Sequence, residues 1–257
     1  MAQKLSKRAV TATVMKNMDT DKNLIDIHTH ILPGMDDGSR DTETSFRMLS
    51  LLKAQNVGTV VLTPHFYTDR ENMHDFLSRR DTALSALEPI ARQLDMQLFS
   101  GCEMYFSDYI FNNADLSPVC INSGRYLLTE LPFSCRFSDV SVNKIARLIA
   151  DFGVIPVLAH IERYPPLMKD RKYLEYLIGM GCLAQINLDA LQDGFLQRKT
   201  LLRYIEDDLV HVVGTDCHNT DSRAPDYFDG IRVIEKKLGA EAVKVLQTNA
   251  LQIISNQ

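Results

Sequence analysis

Residues 24–30 read Leu-Ile-Asp-Ile-His-Thr-His, a short apolar run that ends in two imidazoles. If this segment is a β-strand, successive side chains alternate between its two faces, so Asp26, His28 and His30 share one face. The isoleucines then occupy the opposite face. A face lined by a carboxylate and two imidazoles is costly to bury without a ligand. The His-x-His pair alone is weak evidence of a metal site, but this cost favours one.

Six further apolar runs follow the first and give the chain its organisation. They occupy residues 59–65, 97–106, 125–133, 154–164, 182–188 and 211–218. Amphipathic segments with helical spacing lie between them, at residues 41–57, 75–95, 139–153 and 171–181. Such alternation predicts parallel strands joined by helical crossovers. Parallel strands read as nearly continuous apolar runs because both faces of their sheet are covered, so the sequence predicts an α/β fold.

Side chains that can bind metals stand at the carboxyl end of every run except the sixth, residues 182–188. These side chains are His28, His30, His65, Glu103, Glu130, His160, Asp216 and His218, and Asp36 follows the first run in a loop. Active sites of β/α barrels gather at the carboxyl ends of the strands. The distribution therefore favours closure of the sheet into a barrel over an open sheet, and it predicts that these side chains meet.

Three of these residues have an ordinary structural explanation that the sequence leaves open. Asp36 belongs to Asp36-Asp37-Gly38, which also suits a turn or a helix cap. His65 is equally consistent with a hydrogen-bonded core residue, and Glu130 with a solvated strand end. The recurrence of imidazoles and carboxylates nevertheless favours a polynuclear metal site, because such ligands suit Zn, Fe or Mn. Since such a site activates water, the chain is predicted to be a metal-dependent hydrolase.

The composition sets the size and class of the protein. The chain has 257 residues, of which 45% are hydrophobic, which suffices for a core, and the length allows one large α/β barrel or two modest domains. A net charge of −5 argues against nucleic acid as a partner, and no apolar run is long enough to predict a membrane span. The five cysteines form no CxxC pair, so reduced thiols and a cytoplasmic location are expected. Residues 1–23 are expected to form a flexible extension, and residues 24–257 the domain.

Residues 217–223, Cys-His-Asn-Thr-Asp-Ser-Arg, carry a competing signal, the C-x5-R spacing of thiol phosphatases. In that chemistry a thiolate attacks phosphorus while an arginine and loop N–H groups hold the phosphate oxygens. Such a loop favours glycine, but this one has none, and it puts Asp221 where an anion would bind. Cys217 is therefore not predicted to be a nucleophile, whereas Arg223 is a candidate phosphate ligand.

At these residues the chain resembles the PHP (polymerase and histidinol phosphatase) superfamily, and within it the bacterial manganese-dependent tyrosine-protein phosphatases of the CpsB/YwqE type. The strings that carry the resemblance are DIHTHILPGMDDGS, TPHFY, GCEMY, RYLLTELPF, PVLAHIERY, VHVVGTDCHNTDSRAP and TNALQII. They extend over about residues 24–255, and HIERY and DCHN-x-D-x-R are the more specific ones. The resemblance implies a distorted (β/α)7 TIM-like barrel, the PHP fold, in a single domain.

The resemblance also implies three divalent metal ions. Mn²⁺ is the expected metal, and Fe, Zn or Co stay open because the same nitrogen and oxygen ligands accept them. The implied ligand sets are His28, His30, Glu103 and Asp216 for the first ion; Glu103, Glu130 and His160 for the second; and Asp36, His65 and His218 for the third. Superfamily relatives often have histidine where Asp36 and Glu130 stand, and these acidic replacements fit the tyrosine-phosphatase branch.

The activity implied by the resemblance is hydrolysis of phosphotyrosine in a protein by a hydroxide that bridges metal ions. Arg163 and Arg223 are the expected substrate-binding and catalytic residues, because arginine holds phosphate oxygens well. Asp36 is expected to join them in the catalytic site. The implied partner is a phosphotyrosine-bearing bacterial tyrosine kinase that controls capsular or exopolysaccharide synthesis.

Other functions stay open at this point. A small-molecule phosphomonoesterase, such as histidinol-phosphate phosphatase, would use the same kind of site. A nuclease of the same superfamily is disfavoured by the acidic charge. A non-catalytic metal-bound scaffold belongs to another class of protein and would be expected to lack some ligands, whereas all nine expected positions carry side chains that can bind a metal.

Overall fold

The computed structural model describes residues 23–256, where the chain forms nine strands and eight α-helices. The strands are β1 (Leu24–Thr29), β2 (Val57–Leu62), β3 (His65–Tyr67), β4 (Gln97–Ser100), β5 (Glu103–Tyr105), β6 (Tyr126–Glu130), β7 (Ile155–Leu158), β8 (Leu183–Asn187) and β9 (Val212–Gly214). The helices are α1 (Thr42–Ala54), α2 (Met73–Leu94), α3 (Asp139–Phe152), α4 (Pro165–Lys169), α5 (Arg171–Gly179), α6 (Phe195–Glu206), α7 (Phe228–Leu238) and α8 (Ala240–Ser255). None of the helices in this range has the length and hydropathy that crossing a membrane requires. Except for Asn23, the expected extension over residues 1–23 lies outside the described residues, and its boundary stays a prediction.

The strands follow the seven apolar runs, and two of these runs are interrupted. β2 and β3 are consecutive parts of one run, separated by Thr63 and Pro64. Proline has no N–H to donate to a neighbouring strand, so the hydrogen-bond ladder breaks there. In the next run, Gly101 and Cys102 separate β4 from β5. The two interrupted runs stay side by side, because the Glu103 N–H donates to the Pro64 carbonyl at 3.0 Å.

All paired strands are parallel, and together they form a ring. One sheet has the order β1-β2-β4 and the other the order β3-β5-β6-β7-β8-β9, and the two join where β2 continues into β3 and β4 into β5. Between the last strand and the first, the Asp216 N–H donates to the His28 carbonyl at 2.8 Å and the His30 N–H to the Cys217 carbonyl at 2.9 Å. These bonds close the ring, and the predicted distorted β/α barrel is confirmed.

The helices cover the sheet with apolar faces. α1 begins after Asp41, whose carboxylate accepts the Thr44 N–H as an N-terminal cap. Its buried residues Met48, Leu49 and Leu52 follow helical spacing and belong to the main hydrophobic core. Each such side chain contributes about 1.5–3 kcal/mol when it is fully buried.

The last helix holds the first and last strands together. α8 packs against both β1 and β9. Its Ile253 lies in one apolar cluster with Ile25 and Ile27, and its Gln247 accepts the Ile25 N–H at 2.8 Å. α8 therefore packs across the place where the ring closes between β1 and β9.

Candidate metal centre

Imidazoles and carboxylates converge in three overlapping groups at the carboxyl ends of the strands. Within each group, one nitrogen or oxygen atom from every residue lies within 4.8 Å of those from the others. The groups are His28, His30, Glu103 and Asp216; His30, Asp37, His65 and His218; and His65, Glu103 and Glu130. Since His30, His65 and Glu103 each belong to two groups, the three groups form one continuous cluster.

Glu103 stands at the centre of this cluster and is 1% exposed. Its Oε2 lies 3.3 Å from the Nε2 atoms of both His28 and His30, and 3.0 Å from His65 Nδ1. Its Oε1 lies 2.9 Å from His160 Nε2. A carboxylate whose two oxygens face different sets of imidazoles is suited to bridge neighbouring metal ions.

Hydrogen bonds on the far side of two imidazoles determine which nitrogen faces the cluster. His218 Nδ1 donates to the Asp216 carbonyl at 2.9 Å, and His30 Nδ1 donates to Asp36 Oδ2 at 2.7 Å. The Nε2 atoms of both rings therefore carry a lone pair and face the acidic groups. Histidines that bind metals characteristically donate their other ring N–H in this way.

Several buried polar atoms of the cluster have no hydrogen-bond partner among the described residues. They are His65 Nδ1, Glu103 Oε2 and His218 Nε2. His160, a predicted ligand, belongs to none of the three groups but lies beside them, with Nε2 at Glu103 Oε1 and Nδ1 without a partner among the described residues. Leaving such atoms unsatisfied costs about 1–3 kcal/mol each. A set of nitrogen and oxygen donors without thiolates suits Mn²⁺, Fe²⁺ or Zn²⁺. The residues therefore fit the divalent metal ions that the sequence predicts.

Protons and metal ions would compete for this cluster. Burial disfavours a charged His28, but Glu103 and Asp216 outweigh it and raise the pKa of His28 above its usual value. Burial likewise opposes the ionised form of Glu103, yet His28 and the other imidazoles hold the pKa of Glu103 well below its usual range. Burial and Glu103 raise the pKa of Glu130 to about 7. Metal binding at such a cluster displaces protons and therefore weakens in acid.

Asp36 belongs to none of the three groups, although the resemblance assigned it to the third ion and to catalysis. Its Oδ2 accepts from His30 Nδ1 and from the His65 N–H at 2.8 Å, and its Oδ1 accepts the Gly38 N–H at 2.9 Å. The next residue, Asp37, points into the cluster instead, with Oδ1 3.4 Å from His218 Nε2 and 3.6 Å from His65 Nε2. Within this loop, Asp36 orients His30 while Asp37 faces the metal-binding groups.

Arg163 and Arg223 meet at the edge of the cluster. Each guanidinium places Nη2 2.8 Å from Asp216 Oδ2, and each side chain is about one-third exposed, at 36% and 35%. The other oxygen of Asp216, Oδ1, faces the Nε2 atoms of His28 and His30 at 3.5 Å and 3.3 Å. Two partly exposed cations therefore lie next to the buried cluster, close enough to each other for one anion to contact both.

Asp216, in the cluster, and His160, beside it, have left-handed backbone conformations. His160 has φ 34° and Asp216 has φ 53°. Such conformations are unfavourable for residues other than glycine and concentrate at functional sites. At His160 the chain turns from β7 into the short Ile161–Arg163 turn, which brings His160 and Arg163 to the same cluster. Backbone strain at these two positions accompanies the convergence of the polar groups.

Cys217 does not face the cluster. It is 1% exposed and belongs to the main hydrophobic core. Burial raises the pKa of its thiol well above the usual value, so the thiolate needed for nucleophilic attack is disfavoured. The C-x5-R spacing therefore corresponds to a core cysteine followed by a cluster arginine, as the absence of glycine in this segment predicted.

The sixth run supplies residues that the sequence reasoning missed. Gln185 and Asn187 are two residues apart on β8, buried at 0% and 1% exposure. Gln185 Oε1 lies 3.2 Å from His28 Nδ1, and Asn187 Nδ2 donates to Asp216 Oδ2 at 2.8 Å. The available signal was the pair of amides at alternate positions of an otherwise apolar strand, which a fully buried strand rarely carries without a partner.

The chain also matches known proteins over almost all of its described length. The pattern of the family described as "Capsular polysaccharide synthesis, CpsB/CapC" matches residues 24–255. The tyrosine-protein phosphatase CpsB of Streptococcus pneumoniae is 34% identical over 249 residues, which cover 91% of this chain and 99% of that protein. The tyrosine-protein phosphatase YwqE of Bacillus subtilis is 30% identical over 240 residues, covering 91% of this chain and 92% of that protein.

A solved structure agrees with the fold and with these relatives. It comes from the crystal structures of YwqE from Bacillus subtilis and CpsB from Streptococcus pneumoniae, described as unique metal-dependent tyrosine phosphatases. It superposes with a TM-score of 0.79 at 28% identity and covers 91% of this chain and 95% of that one. The family match extends across the barrel and includes every residue of the metal-binding cluster. The chain therefore belongs to the CpsB/CapC family of capsular polysaccharide synthesis.

Proposed function

We propose that this chain is a metal-dependent protein-tyrosine phosphatase, a phosphoric monoester hydrolase. The observation that carries the proposal is the meeting of two exposed guanidinium groups with a buried cluster of imidazoles and carboxylates at Asp216. The cluster supplies ligands for metal ions, and the guanidinium groups supply contacts for a phosphoryl group beside them. The relatives named above as tyrosine-protein phosphatases support the same activity.

The proposed metal centre holds three divalent ions, with Mn²⁺ as the expected metal. The proposed ligand sets are His28, His30, Glu103 and Asp216; Glu103, Glu130 and His160; and Asp37, His65 and His218. Two distances support the middle set, since His160 Nε2 lies 2.9 Å from Glu103 Oε1 and 3.6 Å from Glu130 Oε1. Asp37 replaces Asp36 in the third set because both Asp36 oxygens accept hydrogen bonds from within the chain.

The side chains around the proposed metal centre have different roles in hydrolysis. Bound divalent ions would lower the pKa of water and neutralise the charge that develops on the phosphoryl oxygens. Arg163 and Arg223 would hold the phosphoryl oxygens that are not attacked, and in doing so they exchange their contact with Asp216 Oδ2 for one with substrate. Asp36 keeps the His30 lone pair aimed at the cluster, so its role is positioning rather than catalysis.

Aromatic side chains at the mouth of the site favour an aryl phosphate as the substrate. Phe133 is 56% exposed, and its ring lies 5.9 Å from that of His160 at an interplanar angle of 26°. The Tyr67 ring lies 5.4 Å from that of His65, which faces the other oxygen of Glu103. A phosphotyrosine ring that enters beside Phe133 gains stacking that an alkyl phosphate lacks, worth about 0.5–1.5 kcal/mol.

The proposed substrate is the phosphotyrosine of a bacterial tyrosine kinase that controls capsular or exopolysaccharide synthesis. Membership of the capsular polysaccharide synthesis family supports this partner. All five cysteines, which lie within the described residues, are free, and free thiols suit a reducing compartment such as the cytoplasm, where such a kinase would present its phosphotyrosines. The proposed domain covers residues 24–257, and the family match over residues 24–255 supports it.

The test is hydrolysis of a phosphotyrosine peptide by the purified protein, before and after chelation and with Mn²⁺ added back. We expect chelation and His160→Ala to abolish hydrolysis, Mn²⁺ to restore it in the wild type, and Cys217→Ser to leave it intact. Phe133→Ala should raise the KM for the phosphotyrosine peptide about three- to tenfold and leave the KM for an alkyl phosphate unchanged. Hydrolysis that survives chelation but is lost in Cys217→Ser would overturn the proposal in favour of thiol chemistry. A preference for histidinol phosphate over the peptide would assign a small-molecule phosphatase instead.

A further inference from the structure

The proposed ligands make a continuous hydrogen-bond chain with β8, a strand that contributes no ligand of its own. His160 N–H donates to Gln185 Oε1 at 2.7 Å, and Gln185 Nε2 donates to Asn187 Oδ1 at 2.9 Å. Asn187 Nδ2 then donates to Asp216 Oδ2 at 2.8 Å. This series of hydrogen bonds therefore connects the backbone of one proposed ligand, His160, to the carboxylate of another, Asp216, through two buried amides.

The backbone N–H of His160 determines which atoms donate and which accept along this series of hydrogen bonds. A backbone N–H can only donate, so the amide atom facing His160 N–H has to be the oxygen of Gln185. The Gln185 amide nitrogen then faces Asn187, whose facing atom has to be an oxygen. It follows that Asn187 presents its amide nitrogen to Asp216. One backbone group thus determines the orientation of both amides.

The same amide oxygen selects the tautomer of His28. His28 Nδ1 lies 3.2 Å from Gln185 Oε1, and an amide oxygen only accepts. His28 therefore carries its ring hydrogen on Nδ1 and keeps the lone pair on Nε2. That Nε2 atom lies 3.3 Å from Glu103 Oε2 and 3.5 Å from Asp216 Oδ1, inside the metal-binding cluster.

The backbone of β8 is held in place as well. Glu162, in the turn that follows His160, accepts the Asn187 N–H at 3.1 Å. The two amides are fully buried, so no water competes for their hydrogen bonds. A buried network in which each donor meets an acceptor stabilises one arrangement of its members over the others.

We propose that Gln185 and Asn187 are positioning residues that set the His28 tautomer and aim Asp216, so that the cluster is preorganised for divalent metal ions. This inference rests on the proposed metal centre. Partners of this kind, behind the ligands, typically change metal affinity by about 10–100-fold when they are removed. Gln185 contacts two ligand residues and Asn187 one, so the loss should be larger at Gln185.

The first arm of the test measures the affinity for Mn²⁺ alone by calorimetric titration of the metal-depleted protein. We expect Gln185→Leu to weaken the binding of Mn²⁺ about 10–100-fold, and Asn187→Leu to weaken it less. Gln247→Leu is the matched control, because Gln247 is also a buried amide that accepts a backbone N–H, from Ile25, and donates to a side chain, the Tyr227 hydroxyl. That control should lose stability and keep the wild-type Mn²⁺ affinity.

The second arm reads the tautomer directly and does not depend on a variant that folds. In the Zn²⁺-loaded, ¹⁵N-histidine-labelled wild type, nuclear magnetic resonance should find the His28 ring hydrogen on Nδ1. A hydrogen on Nε2, or a Gln185→Leu variant with the Mn²⁺ affinity of the wild type, would overturn the inference while the metal centre stands. A wild type that binds neither Mn²⁺ nor Zn²⁺ would instead overturn the proposed metal centre, and the inference with it.

Discussion

The two ends of the barrel differ in the environment of their histidines, with His211 partly buried at one end and His160 buried at the other. At the amino end, His211 lies just before β9, where its Nδ1 accepts the Ala184 N–H at 3.1 Å. At the carboxyl end, His160 has Nε2 2.9 Å from Glu103 Oε1, while its Nδ1 has no hydrogen-bond partner among the described residues. The chain provides a hydrogen-bond donor for the ring nitrogen of His211, whereas one ring nitrogen of His160 faces the central carboxylate and the other has no partner among the described residues. The end of the strand at which a histidine lies therefore distinguishes a structural histidine, at the amino end, from a proposed ligand, at the carboxyl end.

The largest difference between the two ends is expected when the central carboxylate, Glu103, is removed. Glu103→Gln keeps the shape of the side chain but removes the charge that faces His28, His30 and His160. We expect kcat/KM for a phosphotyrosine peptide to fall by about 10³-fold or more, equivalent to about 4 kcal/mol. Metal analysis should find fewer bound ions. Equal loss of activity in His211→Gln, at the opposite end, would contradict the division between the two ends.

The arginines at the carboxyl end should affect substrate rather than metal. Lysine keeps the charge of Arg163 or Arg223 but loses the forked geometry that holds two oxygens. Each Arg→Lys change is expected to lower kcat/KM about 10²-fold, by removal of contacts to the phosphoryl group. The bound metal content should match that of the wild type. Loss of metal from either variant would show that these arginines support the cluster instead of the substrate.

Two neighbouring aspartates at the carboxyl end, Asp36 and Asp37, are expected to differ in their effect on metal binding. Asp37→Asn removes a proposed ligand and should leave the protein with one ion fewer at saturating Mn²⁺. Asp36→Asn removes only the partner of His30, so the full number of ions should still bind, with an affinity about tenfold weaker. Metal analysis and Mn²⁺ titration of the two variants measure this difference. The reverse pattern would restore Asp36 as the ligand, as the sequence first indicated.

The smallest effect on activity is expected at the amino end. Burial lowers the pKa of His211 to about 4, against 6.5 for an ordinary histidine. Between about pH 6.5 and pH 4, His211 is protonated in the unfolded chain but not in the folded one. The free energy of unfolding therefore decreases progressively as the pH falls through this range. The full cost is about 3 kcal/mol, since each pKa unit corresponds to about 1.4 kcal/mol.

His211→Gln provides the measurement, because glutamine can accept the Ala184 N–H without titrating. Denaturant unfolding of the metal-depleted proteins should show a shallower loss of stability for the variant between pH 6.5 and pH 4. Phosphotyrosine hydrolysis at neutral pH should be unchanged. Identical pH slopes in the two proteins would mean that His211 does not titrate as its burial indicates.

Much of this contrast could be predicted from the sequence. Strand periodicity and runs of apolar residues predicted seven strand segments, and metal-binding side chains recurred at their carboxyl ends. His28 and Glu103, which follow this rule, lie in the cluster. The barrel brings such residues together because all its strands are parallel, so their carboxyl ends meet on one side. The fold and the neighbourhood of the site thus follow from local patterns.

Finer details depend on atomic positions that patterns do not contain. The proposed choice of Asp37 over Asp36 rests on the turn after His30, where the carboxylate of Asp36 accepts the Gly38 and His65 N–H groups. Gln185 was missed because amide side chains carry no charge and bind few metals, although its spacing from Asn187 on an apolar strand was a signal of a buried polar pair. Its role depends on a hydrogen bond to His160, 25 residues away in sequence.

The most direct test of the account is the number of metal ions bound by the purified protein, measured by elemental mass spectrometry beside Glu103→Gln and His211→Gln. The account predicts up to three divalent ions in the wild type and in His211→Gln, and fewer in Glu103→Gln, with hydrolysis of the phosphotyrosine peptide following the metal content. A wild type that hydrolyses the peptide without bound metal, or a Glu103→Gln variant with the full metal content and full activity, would contradict it.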